Sequence, residues 1–170
     1  MQKFSLPQSP KIMSRSGNSA TIEVDALYPG YGTTLGNALR RVLLSSIPGA
    51  AITSVKIAGV DHEFSTIANV MEDVIHILLN LKQVRFKLHS DESVAIKLSA
   101  KGEKKVTAAD FQTVSGQVEV VNPDLYIATL TDKKANLEIE AEVSTGVGYE
   151  PVERRKKEKI AIGRIALDAI

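Results

Sequence analysis

The chain has no cysteine and no tryptophan among its 170 residues. Without cysteine there are no disulfides and no thiolate metal sites, a pattern compatible with a reducing cytoplasm. An excess of one charge is missing as well. Twenty-one Lys+Arg stand against 20 Asp+Glu, a formal net charge of +1. So small a surplus gives no global pull toward nucleic acid. The N-terminus, MQKFSLPQSPK, lacks the apolar run of a signal peptide. No uninterrupted apolar stretch approaches the ~20 residues that a membrane-spanning helix needs. These absences point to an intracellular, cytoplasmic chain with no membrane partner.

Catalytic constellations are missing too. His62, His76 and His89 have no metal-ligand spacing. No Ser/His/Asp set is placed by a recognisable motif, and Glu72-Asp73 reads as a pair on a helix surface. Gly30, Gly32 and Gly36 superficially suggest a phosphate loop. The third glycine falls one position late for GxGxxG, however, and no P-loop lysine follows. The expectation is therefore no catalytic residue, no cofactor and no metal.

What is present is an apolar fraction of 44%, enough for one or two cored domains. The most specific segment is residues 31–49, YGTTLGNALRRVLLSSIPG. Gly30 and Gly32 break the chain, Thr33 or Thr34 offers an N-cap hydroxyl, and Pro48-Gly49 stops the helix. At about 100° per residue, Leu35, Ala38, Leu39, Val42, Leu43 and Ser46 share one side, the expected core face. Asn37, Arg40, Arg41 and Leu44 fall roughly opposite, with Arg41 and Leu44 as neighbours three residues apart. That second side reads either as a solvated face with one exposed leucine or as a protein-binding face. Arginine beside an apolar anchor is favoured at interface hot spots. Gly36 permits close backbone approach along the same helix.

Strands dominate elsewhere. Ala20, Ile22, Val24 and Ala26 alternate with Thr21, Glu23 and Asp25. Alternation returns over residues 51–58, then a turn at Gly59-Val60-Asp61 leads to His62-Glu63-Phe64. Ser65 or Thr66 is placed to cap a second helix reaching about Leu81, with Val70, Val74, Ile77, Leu78 and Leu81 as its core stripe. Further strands are expected around Val84–Leu88, Val94–Leu98, Val118–Val120, Tyr126–Leu130 and Leu137–Val143. The last alternates with Glu138, Glu140 and Glu142, as a one-sided strand does. The basic run ERRKKEK at residues 153–159 contains two glutamates and no aromatic, so it reads as a solvated connecting loop rather than a nucleic-acid contact. The class is α+β.

The run GYGTTLGNALRRVLLSSIPGAAITSVKIAGVDHEFSTI resembles the N-terminal domain of the bacterial-type RNA polymerase alpha subunit. The likeness continues in order through Glu72-Asp73, Leu78-Leu79-Asn80-Leu81-Lys82, Val106-Thr107-Ala108-Ala109-Asp110, Val118-Glu119-Val120-Val121-Asn122-Pro123, Gly148-Tyr149, Ile162-Gly163-Arg164 and Asp168-Ala169. Several ordered blocks across nearly the whole chain are far more specific than one short motif. The resemblance implies a dimerisation subdomain, residues 1–51 plus 162–170, interrupted by a β-rich insert subdomain at 52–161. It implies a noncatalytic scaffold of DNA-directed RNA polymerase, a nucleotidyltransferase complex acting in transcription. Two copies would pair and nucleate assembly with the beta and beta-prime subunits.

By the same resemblance, Arg40, Arg41 and Leu44 would face the beta subunit, and Lys82 and Leu167 would meet a large subunit. Leu35, Leu39, Val42 and Leu43 would serve the dimer contact or the core. DNA would be touched through a C-terminal domain that lies beyond the 170 residues, as do the return strands, a second dimer helix and a linker. The setting would be a bacterial cytosol or nucleoid, with a plastid left open. One loop departs from the family's RGRGY and reads Thr145-Gly146-Val147-Gly148-Tyr149, so the contacts of those arginines have no counterpart. Two other readings compete: a stand-alone nucleic-acid-binding module using ERRKKEK and Arg40-Arg41, and a small metabolic enzyme with an unrecognised pocket.

Overall fold

A computed structural model describes residues 6–90, 92–113, 116–155 and 163–170. They divide into two compact units, Met1–Ser45 and Ser46–Ile170. The sequence-based division set 1–51 and 162–170 apart from 52–161. The contacts differ at both ends. The strand after the first helix belongs wholly to the second unit, and the tail from Gly163 is paired there too.

In the first unit, β1 (Lys11–Ser16) and β2 (Ser19–Glu23) form an antiparallel hairpin. Gly17 turns it at φ +54°, a conformation that glycine adopts freely at the first position of a two-residue loop. Both strands are exposed along their whole length. Helix α1 (Tyr31–Ser45) follows. It begins earlier than a Thr33 or Thr34 cap would allow. Gly30 turns the chain at φ +86° and the Tyr31 N–H already donates to the Tyr28 carbonyl at 2.9 Å, so both threonines lie inside the first turn.

The second unit is built on a seven-stranded antiparallel sheet. Its strands are β3 (Pro48–Ile57), β4 (Phe86–Leu88), β5 (Val94–Lys101), β7 (Phe111–Gln112), β8 (Val118–Val120), β10 (Asn136–Val147) and β11 (Ile165–Ala166). The spatial order is β7-β5-β10-β3-β4-β8, with β11 pairing β3 as well. Strict alternation aims Val94, Ile96, Leu98 and Ala100 of β5 and Leu137, Ile139, Ala141 and Val143 of β10 at the core. Glu138, Glu140 and Lys97 go to the other face, where Lys97 pairs with Glu140 at 2.8 Å. In a flat sheet, β7 and β4 would lie four strand spacings apart, about 19 Å. The Phe111 and Phe86 rings instead meet edge to face at 6.1 Å, so the sheet curls around its core.

A smaller ribbon, β6 (Lys104–Thr107) with β9 (Tyr126–Leu130), adds Val106, Ile127, Ala128 and Leu130 to that core. Helix α2 (Val74–Leu81) adds Val74, Ile77, Leu78 and Leu81. It is shorter than its sequence stripe suggests. Residues 66–73 form a turning loop closed by the bridge Thr66↔Asp73 and pinned by Val70↔Leu130, so the helix starts only after Asp73. The Asp73 carboxylate is the N-cap and accepts from the His76 N–H at 2.8 Å. Glu72 is likewise no free surface residue. It accepts from the Thr129 N–H at 2.7 Å and from the Tyr126 hydroxyl, tying the lead-in of α2 to β9. The α+β class holds, and β1, β6, β7 and β11 are elements that periodicity did not reveal.

Candidate functional site

Helix α1 has no buried residue. Leu39, Val42 and Leu43, expected on a core face, stand 53–61% exposed, and Leu35 is half-buried. The core half of that expectation therefore fails. The apolar stripe exists, but the described residues of its own unit do not cover it. Helical geometry explains why the pattern was legible while its partner was not. Amphipathic spacing states that a face avoids water, not which surface it meets.

On the other side of α1, Arg40, Arg41 and Leu44 are all exposed, Leu44 at 66%. The spacings three and four residues apart make Leu44 a neighbour of both arginines on the helix surface. Among the described residues neither guanidinium has an ion-pair partner, and the Ser45 hydroxyl closes the helix end by donating to the Arg41 carbonyl at 2.7 Å. Gly36 sits mid-helix, where glycine costs about 1 kcal/mol relative to alanine. A Cβ there would meet nothing within 4 Å, so nothing among the described residues requires its absence.

Lys82 and Leu167 occupy the second unit and are brought to one place, but not as an exposed pair. Leu167 is 6% exposed and belongs to the core, which corrects its expected place on a partner-facing surface. Lys82 follows the last turn of α2, and its ammonium lies 3.6 Å from Asp168 Oδ2. Asp168 Oδ1 accepts from the Val152 N–H at 2.9 Å. That backbone bond, outweighing the upward pull of burial and joined by Lys82 and Tyr149, holds the Asp168 carboxyl below its ordinary range.

Sequence reasoning missed several residues that hold this end together. Arg155, inside the run read as a solvated loop, turns inward. Its guanidinium donates to the Thr53 carbonyl at 3.2 Å and to the Leu167 carbonyl. The rest of that run, Lys156–Lys159, lies outside the described residues. Asn122 spans the turn after α2, accepting from the Arg85 N–H at 2.7 Å and donating to the Gln83 carbonyl at 3.0 Å. Asn80 donates to the Ile127 carbonyl at 2.9 Å and fixes α2 on β9. A polar residue kept inside an otherwise apolar block, as in LLNLK and VVNPD, was the available signal for the last two.

No group of three or more His, Asp or Glu among the described residues is placed to hold a metal ion. Nor is any described helix long and apolar enough to cross a membrane. What the arrangement presents is one helix with an exposed apolar stripe on one side and two exposed arginines beside an exposed leucine on the other.

Comparison with known proteins gives several curated relatives. A DNA-directed RNA polymerase subunit alpha from Symbiobacterium thermophilum is 50% identical over 167 residues, covering 96% of this chain and 52% of the relative. Its counterpart from Desulforudis audaxviator is 49% identical over 167 residues, with 96% and 52% covered. That from Flavobacterium psychrophilum is 47% identical over 171 residues, with 98% and 51% covered. The chain thus spans about half the length of the curated relatives it matches. A sequence model described as the RNA polymerase Rpb3/RpoA insert domain matches residues 55–170, which takes in the curled sheet, α2 and the tail. Matched over most of its length in this way, the chain belongs to the RNA polymerase Rpb3/RpoA insert domain family.

Proposed function

We propose that the chain is part of a noncatalytic scaffold subunit of a DNA-directed RNA polymerase, working in the cytosol or nucleoid. The observation that carries this reading is α1: fifteen helical residues, none of them buried, with distinct apolar and arginine-bearing sides. A helix without a core contact draws little stability from its own hydrogen bonds, so it needs a covering surface. The stripe Leu35, Leu39, Val42 and Leu43 is assigned to a second copy of the chain. Arg40, Arg41 and Leu44 are assigned to the beta subunit. The open space at Gly36 supports close approach from outside, since no contact among the described residues uses it. In this scheme the β-rich unit is an insert within a discontinuous dimerisation part, and DNA is reached only through segments outside these residues.

Arg41→Ala tests the assignment. The variant keeps the fold, because no ion pair among the described residues is lost, and weakens capture of purified beta subunit. An arginine beside a desolvated apolar anchor contributes about 2 kcal/mol, or roughly 30-fold in affinity. Unchanged capture by the folded variant would remove Arg41 from the interface and count against the scaffold reading.

A further inference from the structure

The tail 163–170 is held by little backbone pairing of its own. β11 has two residues, opposite Val55 and Ser54. Beyond it the Leu167 N–H donates to Thr53 at 2.9 Å, and Ala169 exchanges two bonds with Glu150, at 3.0 and 3.1 Å. So short an edge pairing is marginal by itself. Two side chains reinforce it: Arg155 donates to the Thr53 and Leu167 carbonyls, and the Asp168 carboxylate ties the tail to α2. Asp168 takes the Val152 N–H on one oxygen and faces the Lys82 ammonium with the other. Lys82 comes from a different layer, the end of α2, whose position is fixed by Leu78, Leu81 and the Asn80 bond to β9. Its side chain is 26% exposed, so most of its stem is already covered within the chain. A cation at this position also suits the carbonyl end of α2.

We propose that Lys82 is a latch. Its ammonium, as counter-ion of Asp168, seats the tail strand so that Leu167 fills the core, and Lys82 influences a large subunit through that strand rather than by touching it. The second clause rests on the scaffold reading; the latch itself does not. The seated tail fixes the register of β11 on β3 and keeps Gly163 and Arg164 beside the polar face of the sheet. There Arg164 donates to the Ser54 hydroxyl at 3.3 Å. Losing the latch would let 163–170 open while α2 and the central strands stay closed.

Amide hydrogen exchange on the whole 170-residue chain tests this. In Lys82→Met, exchange at Leu167 and Ala169 is expected to rise about two- to fivefold, the range for a partly exposed ion pair. Exchange at Ile96 and Ile139 stays at the wild-type rate. Lys82→Arg, which keeps the charge, restores most of the protection. Lys82→Met adds nothing in an Asp168→Asn background, because the pair is already broken. Wild-type exchange at Leu167 and Ala169 in a folded Lys82→Met chain overturns the latch. So does weakened capture of purified beta-prime subunit by that variant with its tail still protected, since Lys82 would then touch the partner directly. A wild-type chain that captures neither purified large subunit refutes the scaffold reading, while the exchange rates still decide the latch.

Discussion

Leu43→Ala and Leu81→Ala remove the same atoms from two helices, and the structure assigns them opposite consequences. Leu81 is 0% exposed, at the last turn of α2. Truncating a fully buried leucine loses its transfer free energy and leaves a cavity, together about 3 kcal/mol. The second unit holds about 125 residues, so its unfolding entropy converts that loss into a fall in Tm of roughly 10 °C. Leu43 is 61% exposed. Alanine is as good a helix former as leucine, so stability should change by less than about 0.5 kcal/mol, under about 5 °C for a unit as small as Met1–Ser45. The cost appears instead in association. Full burial of a leucine contributes about 2 kcal/mol, of which about 1.2 is unrealised at this exposure. A two-fold interface counts it twice, about 2.4 kcal/mol, which weakens self-association roughly 60-fold. Calorimetry of dilute protein reads the first pair of numbers, and equilibrium sedimentation reads the last. If Leu43→Ala lowered the Tm of the dilute chain as far as Leu81→Ala does, the stripe on α1 would be an internal core, and its assignment to a second copy would be wrong.

Two further outcomes follow from the second unit. Burial, and then the hydrogen bond to Glu72, raise the Tyr126 phenol above its ordinary value despite an opposing bond from Thr129. The stability linked to that shift is complete below the unfolded value of about 10 and is lost as pH climbs through the higher folded value. A difference titration between the wild type and Tyr126→Phe should place this phenol's midpoint above 10, and a midpoint at or below 10 refutes the contact. Asn122→Ala strands the Arg85 N–H and the Gln83 carbonyl together. It should cost about 1–2 kcal/mol, a fall in Tm of roughly 4–8 °C, and an unchanged melting curve would show that water replaces both bonds.

How much of this was legible depended on whether the deciding interaction was local. β5 and β10 alternate with period two because one face is buried along their full length, and that pattern survives in sequence. The end of α1 was readable because Pro48-Gly49 cannot continue it. The start of α2 was not. Its apolar spacing runs back to Val70, yet Val70 bridges Leu130, and that long-range pairing overrides local helical preference. Arg155 was hidden among solvated charges for the same reason, since its acceptors are carbonyls of Thr53 and Leu167. The contacts of Asp168 were not legible either, because Val152 and Lys82 meet it only after folding.

The two helices carry the limit of sequence reasoning to its physical root. Both are amphipathic at helical period. Val74, Ile77, Leu78 and Leu81 of α2 are buried, whereas Leu39, Val42 and Leu43 of α1 are more than half exposed. Water drives both faces toward cover by the same mechanism, and that mechanism is non-directional. A periodic stripe therefore encodes the need for a second surface without encoding whether that surface lies in the same chain. α1 supplies two clues that α2 lacks. It keeps a mid-helix glycine with open space above it, and it pairs exposed arginines with an exposed leucine on the side away from the stripe. A core helix gains nothing from either feature. The proposed arrangement, with a copy of the helix on one side and a larger subunit on the other, has a use for both.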